Sequence, residues 1–393
     1  MAKLVTELLA VHDIDRLMRD YLSGLLLHAL DEIRDKFTTE MLDNSDIHFV
    51  LTVPAIWSEK STKRTVEALK RCRSFPRSAK TTVLSEPEAA AIYTLQNCDG
   101  HSLNVGDSFV VVDAGGGTVD LITYTINSLA PSLEVTETVP GSGDVCGSQL
   151  VNDRFLQYLD AKLGKDEAYG SEARLSALER FDTDVSMICS YSTPSANMLQ
   201  TKRRFNTASI ATGSYTLPVI GMPRNRELGV RTRGHFTLKG TDLHMIFEPV
   251  VLQVIRLVQE QIIASNVPIR TIMLVGGFGQ STYLKERIQS AVKDQTQDRV
   301  KVKVMRPDNA WLAVVLGAVR KGLSLYAPEE APRIRIRARR ARKHYGYQMC
   351  IEYNEAQHSS ISNLKWWDGY NGVWQVMVMG WFIRRVSFLY LSS

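Results

Sequence analysis

"VVVDAGGGTVDLITYTI", residues 110–126, sets three consecutive glycines between two apolar runs and places Asp113 and Asp120 on either side of the bend. Runs of Val, Ile, Thr and Tyr favour a pleated strand, and a glycine bend between two of them predicts an antiparallel hairpin. Glycines have no Cβ and tolerate left-handed dihedrals, so such a bend lets backbone N–H groups approach an anion closely. The flanking carboxylates suit magnesium, which prefers oxygen ligands and accompanies nucleotide phosphates. Alone, the motif is most often that of an ordinary tight hairpin, and its neighbours shift the balance between the two readings.

Upstream, DIHFVLTVPAIW (46–57) predicts a strand ending at Pro54, and SEKSTKRTVEALKRC (58–72) a helix with Ser58 as its N-cap. TTVLSEPEAAAIYTLQ (81–96) repeats the plan as a short strand and an alanine-rich helix, with Pro87 in the first turn. Strand then helix, twice, predicts an α/β layer. Further out, Val5 to Phe37 has helical spacing, with an apolar stripe of Leu22, Leu25, Leu26, Ala29, Leu30 and Ile33.

Downstream, LEVTETV (133–139) reads as a third strand, and GSGDVCG (141–147) as a glycine turn opening the helix SQLVNDRFLQYLDAKLG. FEPVVLQVIRLVQEQIIAS (247–265) is an amphipathic helix. IRTIMLVGGFGQSTYLKERI (269–288) reads as a buried strand, a glycine turn at 276–279 and a helix. VKVMRPDNAWLAVVLGAVRKGL (302–323) is a further strand and helix. Residues 165–245 alternate helical and extended pieces. The glycine turns at 141–147 and 276–279 are read, like the hairpin, as places where a backbone can approach a phosphate.

Composition sets the class. With 393 residues, 44% hydrophobic and 23% charged, the chain suits a globular protein of more than one domain, and no apolar run suggests a membrane span or signal peptide. A cytoplasmic protein is the default. Five scattered cysteines without C-x-x-C spacing argue against a disulfide framework or a zinc site and read as free, buried thiols. RIRIRARRARK (333–343) carries seven basic residues, and subtracting them from the net +5 leaves −2, so the basic character is local. Its alternation predicts an exposed edge strand guarded by arginine rather than a nucleic-acid patch.

The order strand–Glu–Pro–helix, DAGGGTVD hairpin, glycine turn, then LVGGFGQS before a helix resembles the nucleotide-binding domain of the 70-kDa heat-shock chaperones, within the actin-like ATPase superfamily of duplicated ribonuclease H-like lobes. LTVPAIWSEKSTKRTVEAL is similar to the family's "VPA" segment and LSEPEAAAIYTL to its first connecting helix. VVVDAGGGTVDLITY is similar to its second phosphate loop, LVGGFGQSTYL to its adenosine segment and NAWLAVVLGAV to its second connecting helix. The resemblance spans roughly residues 5–325. Its Trp-containing second connecting helix and ARKHYG at 341–346 look closer to the divergent branch without a standard substrate-binding domain.

This resemblance implies ATP or ADP with Mg2+. In the family's arrangement Asp113 and Glu86 would hold the metal through water, and Gly115, Gly116 and Gly117 would form the phosphate cradle. Thr118 would lie near the γ-phosphate, with Asp120 as a proton acceptor. Lys202 and Arg203 would lie over the adenosine, and Gly276 and Gly277 would pass beneath the base. The family's first phosphate loop has no counterpart here, so the first lobe is expected to be incomplete and hydrolysis to lack half of its clamp and its lysine. The implied division is a first-lobe remnant over 1–105, a second lobe over 106–325 with a small subdomain at about 152–265, and a C-terminal extension over 326–393 with β character. An N-terminally truncated chain is one expectation, and a partner that completes the first lobe is another.

The reading that follows is an ATP-binding, chaperone-like protein serving protein clients or co-chaperones. The alternatives are a nucleotide-free interaction scaffold, a sugar-kinase-type enzyme and, least favoured, a nucleic-acid binder. Trp366, Trp367, Trp374 and Trp381 are read as core rather than as a ligand platform.

Overall fold

The computed structural model describes residues 11–38, 40–41, 44–97, 104–130, 132–182, 205–231, 234–296, 302–327 and 334–390. Its centre is a seven-stranded mixed sheet in the order β10-β9-β3-β4-β5-β11-β15. The strands are β3 (Ser108–Ala114), β4 (Val119–Ser128), β5 (Leu133–Asp144), β9 (Ile269–Val275), β10 (Lys303–Met305), β11 (Ile334–Arg340) and β15 (Phe388–Tyr390). The quoted stretch is the predicted hairpin, with β3 and β4 antiparallel and Asp113 paired opposite Asp120.

β3 is apolar from Phe109 to Val112 because both faces of the sheet are covered. Val110, Val112 and Ala114 point into a core built with Phe155 and Leu159 of α4 (Ser148–Leu163), Val250 and Val254 of α6 (Gly240–Ala264), and Leu284 and Ile288 of α7 (Thr282–Thr296). Phe109 and Val111 point the other way, onto Ala90, Ala91 and Tyr93 of α3 (Glu86–Asn97) and Ala313 at the start of α8 (Ala313–Tyr326). The alternation of period two along one strand therefore serves two helical layers.

α3 and α8 carry the sheet's second face to a smaller layer. β1 (His48–Val53) and β2 (Lys80–Ser85) are parallel and form a sheet of only two strands, joined through α2 (Glu59–Lys70). Ser58 caps α2 as predicted, its hydroxyl accepting from the Ser61 amide at 3.1 Å. Leu84, Ala89, Ile92 and Ala318 make the joint, and a Cβ on Gly317 would stand 1.8 Å from the Ala89 carbonyl oxygen. The run of small residues in EPEAAA is thus what lets α3 and α8 approach so closely.

α1 (Val11–Lys36) lies on α2 through Leu26, Leu30 and Cys72. The predicted stripe is wider than what is covered: Leu26 and Leu30 are buried, whereas Leu25, Ala29 and Ile33 are exposed. The N-terminal part of the expected helix, from Val5, lies outside the described residues.

A small antiparallel sheet, β6-β8-β7, covers the far end of α4 and α6 with Leu217, Val230, Phe236 and Leu238 in the same core. Its strands are β6 (Ser214–Pro218), β7 (Val230–Arg231) and β8 (His235–Lys239), and α5 (Ser171–Asp182) lies beside it. β12 (Tyr345–Glu352), β14 (Val373–Ile383) and β13 (Trp366–Asp368) form a separate antiparallel sheet in that order.

Four expectations are corrected. The arginine-rich strand is not the free edge it resembles: β11 lies between β5, which it meets in parallel, and β15. Along the strand Arg337 pairs with Glu134 and Arg339 with the buried Glu88, and just beyond it Arg342 pairs with the buried Glu137. The tryptophans are not core: Trp366, Trp367, Trp374 and Trp381 are 38–54% exposed, because a three-stranded sheet has too few neighbours to enclose them. Cys350 is likewise exposed, while Cys72 and Cys146 are buried free thiols. Finally, residues 141–144 of the second glycine segment continue β5 rather than forming a turn.

Candidate functional site

The hairpin tip lies where the parallel strands β3 and β9 both end, the edge at which open α/β sheets receive their ligands. Two chain reversals meet there. β3 exits through Gly115–Gly117, and β9 exits through Gly276, whose φ of +83° belongs to the left-handed region. A Cβ on Gly276 would stand 2.4 Å from the Ala114 carbonyl oxygen and 2.5 Å from Asp113 Oδ1. Only glycine fits, for both dihedral and space.

Around this tip three carboxylates converge on the second face's rim. Asp113 and Asp120 are 6% and 1% exposed, and Glu86, the first residue of α3, is half-buried. Burial pushes Asp113 up from 3.8 to about 8, reinforced by Glu86 and Asp120. Burial also raises Glu86 from 4.5 to about 7, with Asp120 adding to it. Asp120 is raised by burial too, but Thr118 and the amides of Ala55 and Ile56 donate to it and oppose the rise. The Ala55 amide lies 2.7 Å from Asp120 Oδ1. Like charges gathered in a poorly solvated place favour either protons or a cation.

The glycines of the cradle have distinct duties. The Gly115 amide is spent on the Thr118 carbonyl at 3.0 Å, closing the turn. Gly116 and Gly117 are exposed, their amides have no backbone partner among the described residues, and a Cβ on either would meet nothing within 4 Å. These two amides are the ones free to meet an anion. Lys202 and Arg203 lie outside the described residues. Gly277 follows Gly276 and leads into the short turn Phe278–Gln280, its Cβ position open.

The second glycine segment does something the sequence reading missed. A Cβ on Gly143 would stand 2.9 Å from Ile56 Cγ2 and 3.0 Å from Asp120 Oδ1, so Gly143 makes room for the chain after Pro54 to reach Asp120. A Cβ on Gly147 would stand 2.4 Å from the Gly116 carbonyl oxygen. The first amides of α4 are committed as well: Gly147, Ser148 and Gln149 donate to the carbonyls of Gly117, Gly115 and Gly116 at 3.1, 3.1 and 2.8 Å. This helix N-terminus therefore stiffens the hairpin instead of facing a phosphate itself. The tell-tale signal was spacing: Gly143 pairs opposite Asp120 across β4 and β5.

Among the described residues no group of three or more His, Cys, Asp or Glu side chains is placed to hold a metal ion directly. The residues nonetheless fit a hydrated divalent cation beside a phosphate, because the carboxylates carry unneutralised mutual repulsion and two open amides stand at the same tip. No helix among the described residues is long and apolar enough to cross a membrane.

No family model matches the chain. It is similar to human heat shock 70 kDa protein 12A, 23% identical over 84% of this chain and 55% of the relative, and equally to the mouse protein of that name. Human heat shock 70 kDa protein 12B is 22% identical over 84% of this chain and 54% of its own length. The chain thus spans about half the length of the curated relatives it matches.

Proposed function

We propose that this chain, a divergent protein of the 70-kDa heat-shock type with an actin-like ATPase fold, binds a nucleotide phosphate chain with magnesium at the β3–β4 tip. The observation that carries the reading is the acid trio, with Asp113 and Asp120 buried and Glu86 half-buried, beside the Gly116 and Gly117 amides, which have no backbone partner among the described residues. Asp113 and Glu86 would hold the metal through its water shell, and a magnesium ion bound there would neutralise phosphate charge. Asp113, protonated near neutral pH when alone, would release its proton as the cation arrives. Thr118 and the Ala55 and Ile56 amides fix the Asp120 carboxylate, which would orient a water or accept its proton. Gly277, whose Cβ position is open, leaves a bare surface that a base could lie against. Chaperone work in the cytoplasm on protein clients extends the same reading.

A second reading, a nucleotide-free scaffold, draws support from the α4 amides being committed inside the protein. Titrating the full chain with a fluorescent ATP analogue, with and without magnesium, separates the two. Magnesium-dependent binding that Asp113→Asn weakens by roughly tenfold or more supports the site. Binding indifferent to both magnesium and the substitution removes it.

A further inference from the structure

Away from the acid tip, the small sheet carries a second polar concavity. Among the described residues, Arg224, Arg226, Gly229, Val230, Arg231 and Thr237 line a cavity of about 480 Å³. That volume is within the roughly 300–1,000 Å³ of ordinary small-molecule sites. None of its residues belongs to the acid trio or the glycine hairpin.

The backbone that carries the three exposed arginines is pinned. Asn225 and Val230 exchange backbone hydrogen bonds at 3.0 and 2.8 Å, the Gly229 amide donates to Arg226, and the Leu228 amide donates to Asn225 Oδ1. Asn225 is tied in turn to Asp166. Arg224 and Arg226 flank this pinned residue, two positions apart. Arg231 pairs opposite His235 on β8, and in a strand His235, Thr237 and Lys239 share one face, while Phe236 and Leu238 enter the core. The basic groups therefore gather on the sheet's outer side.

Two features single out this cluster from ordinary surface arginines. Among the described residues none of the three guanidinium groups has a carboxylate partner, whereas Arg337 and Arg339 of β11 are engaged with Glu134 and Glu88. Over residues 223–239 five Lys and Arg face one acid, Glu227. In addition, the Thr237 hydroxyl is buried in the cavity wall with no hydrogen-bond partner, a costly state for a polar group unless a ligand satisfies it.

The geometry points to a binding site for a small, multiply phosphorylated anion, free or displayed as a lipid headgroup. Planar guanidinium forks match phosphate oxygens bidentately, and three arginines lining one concavity suit more than one phosphate. Among the described residues that line it, the cavity carries no aromatic side chain, unlike the stacking groove that single-stranded nucleic acid uses.

The probe is inositol hexakisphosphate, titrated calorimetrically into the full chain at two salt concentrations. Vesicles containing a bis-phosphorylated phosphoinositide form a parallel arm. We expect saturable binding in one arm that Arg226→Ala weakens by roughly tenfold and the triple Arg224→Ala, Arg226→Ala, Arg231→Ala variant abolishes. Thr237→Val should weaken it with no change in charge, and lysine at the three positions should restore part of the affinity. Binding of the fluorescent ATP analogue should be unchanged in all of these variants, which separates this site from the nucleotide site. Soluble binding identifies a free ligand; binding to vesicles alone identifies a headgroup. The proposal is overturned if neither probe binds. It is equally overturned if the triple variant binds as well as the parent, or if Arg335→Ala with Arg337→Ala on β11 reduces binding as much, since that is non-specific attraction.

Discussion

The β3–β4 hairpin and the β1–β2 pair are both apolar strands beside α3, yet they are built to different standards. β3 is buried at every position, with strands on both sides and helices on both faces. In β1 only Val53 is buried, in β2 only Leu84, and each strand has a single neighbour in a sheet of two. A two-stranded sheet has little stability of its own. The β1–β2 layer is held by what it leans on: the α3–α8 joint, and the Ala55 and Ile56 amides anchored on Asp120. The carboxylate proposed to serve the nucleotide site is also the peg for the weaker layer, so the proposed ligand chemistry would be coupled to folding through one residue.

The largest expected effect lies in the seven-stranded core. Phe155, fully buried and stacked 4.0 Å from Phe181, should cost about 3–5 kcal/mol when changed to Ala. Chemical denaturation measures it, and a cost near zero would mean that this core is not the stable half. Gly317→Ala is next: its methyl would collide with the Ala89 backbone, so we expect about 1–3 kcal/mol. Hydrogen exchange should then quicken in residues 48–53 and 80–85 and stay slow in 108–126. Uniform acceleration would show that the two layers unfold as one.

The acid trio gives the third test, and its sign is fixed by the direction of the shifts. Asp113 and Glu86 are raised to about 8 and about 7, so between about pH 4 and pH 8 the folded chain keeps protons that the unfolded chain has lost. Stability in the absence of divalent cations should therefore fall as pH rises through that window. Asp113→Asn should flatten the fall and stabilise the chain at pH 8 by on the order of 1–2 kcal/mol. A thermal melt series that showed rising stability toward pH 8 would contradict the burial of this carboxyl. The smallest effect is expected from Val50→Ala on half-buried β1, about 1 kcal/mol. If it matched Phe155→Ala, the contrast between the layers would be gone.

Much of this arrangement was legible from local chemistry. The hairpin, the Ser58 cap, the proline in the first turn of α3 and the glycine exit after β9 each follow from what one or two residues can do with their own backbone. Less legible were the features decided by distant neighbours. Gly143 and Gly147 look like phosphate glycines, but the one clears space for Ile56 and the other for the Gly116 carbonyl. The alternating arginines of β11 look like an edge guard, yet Arg339 pairs with Glu88, some 250 positions away along the chain, and Arg342 just past the strand pairs with Glu137, some 200 away. The tryptophans near the C-terminus are apolar enough for a core, and nothing in their spacing tells that only three strands surround them.

The sequence alone determined the elements, the position of the hairpin and which carboxylates flank it, because periodicity, capping and glycine dihedrals act over a few residues. Only the tertiary structure decided that Asp113, Asp120 and Glu86 share one poorly solvated corner, that two of three cradle amides stay open, and that one layer is deeply buried while the other leans on it. Burial and electrostatic coupling depend on distance in space, and the fold alone brings positions 55, 86, 113, 120 and 276 together.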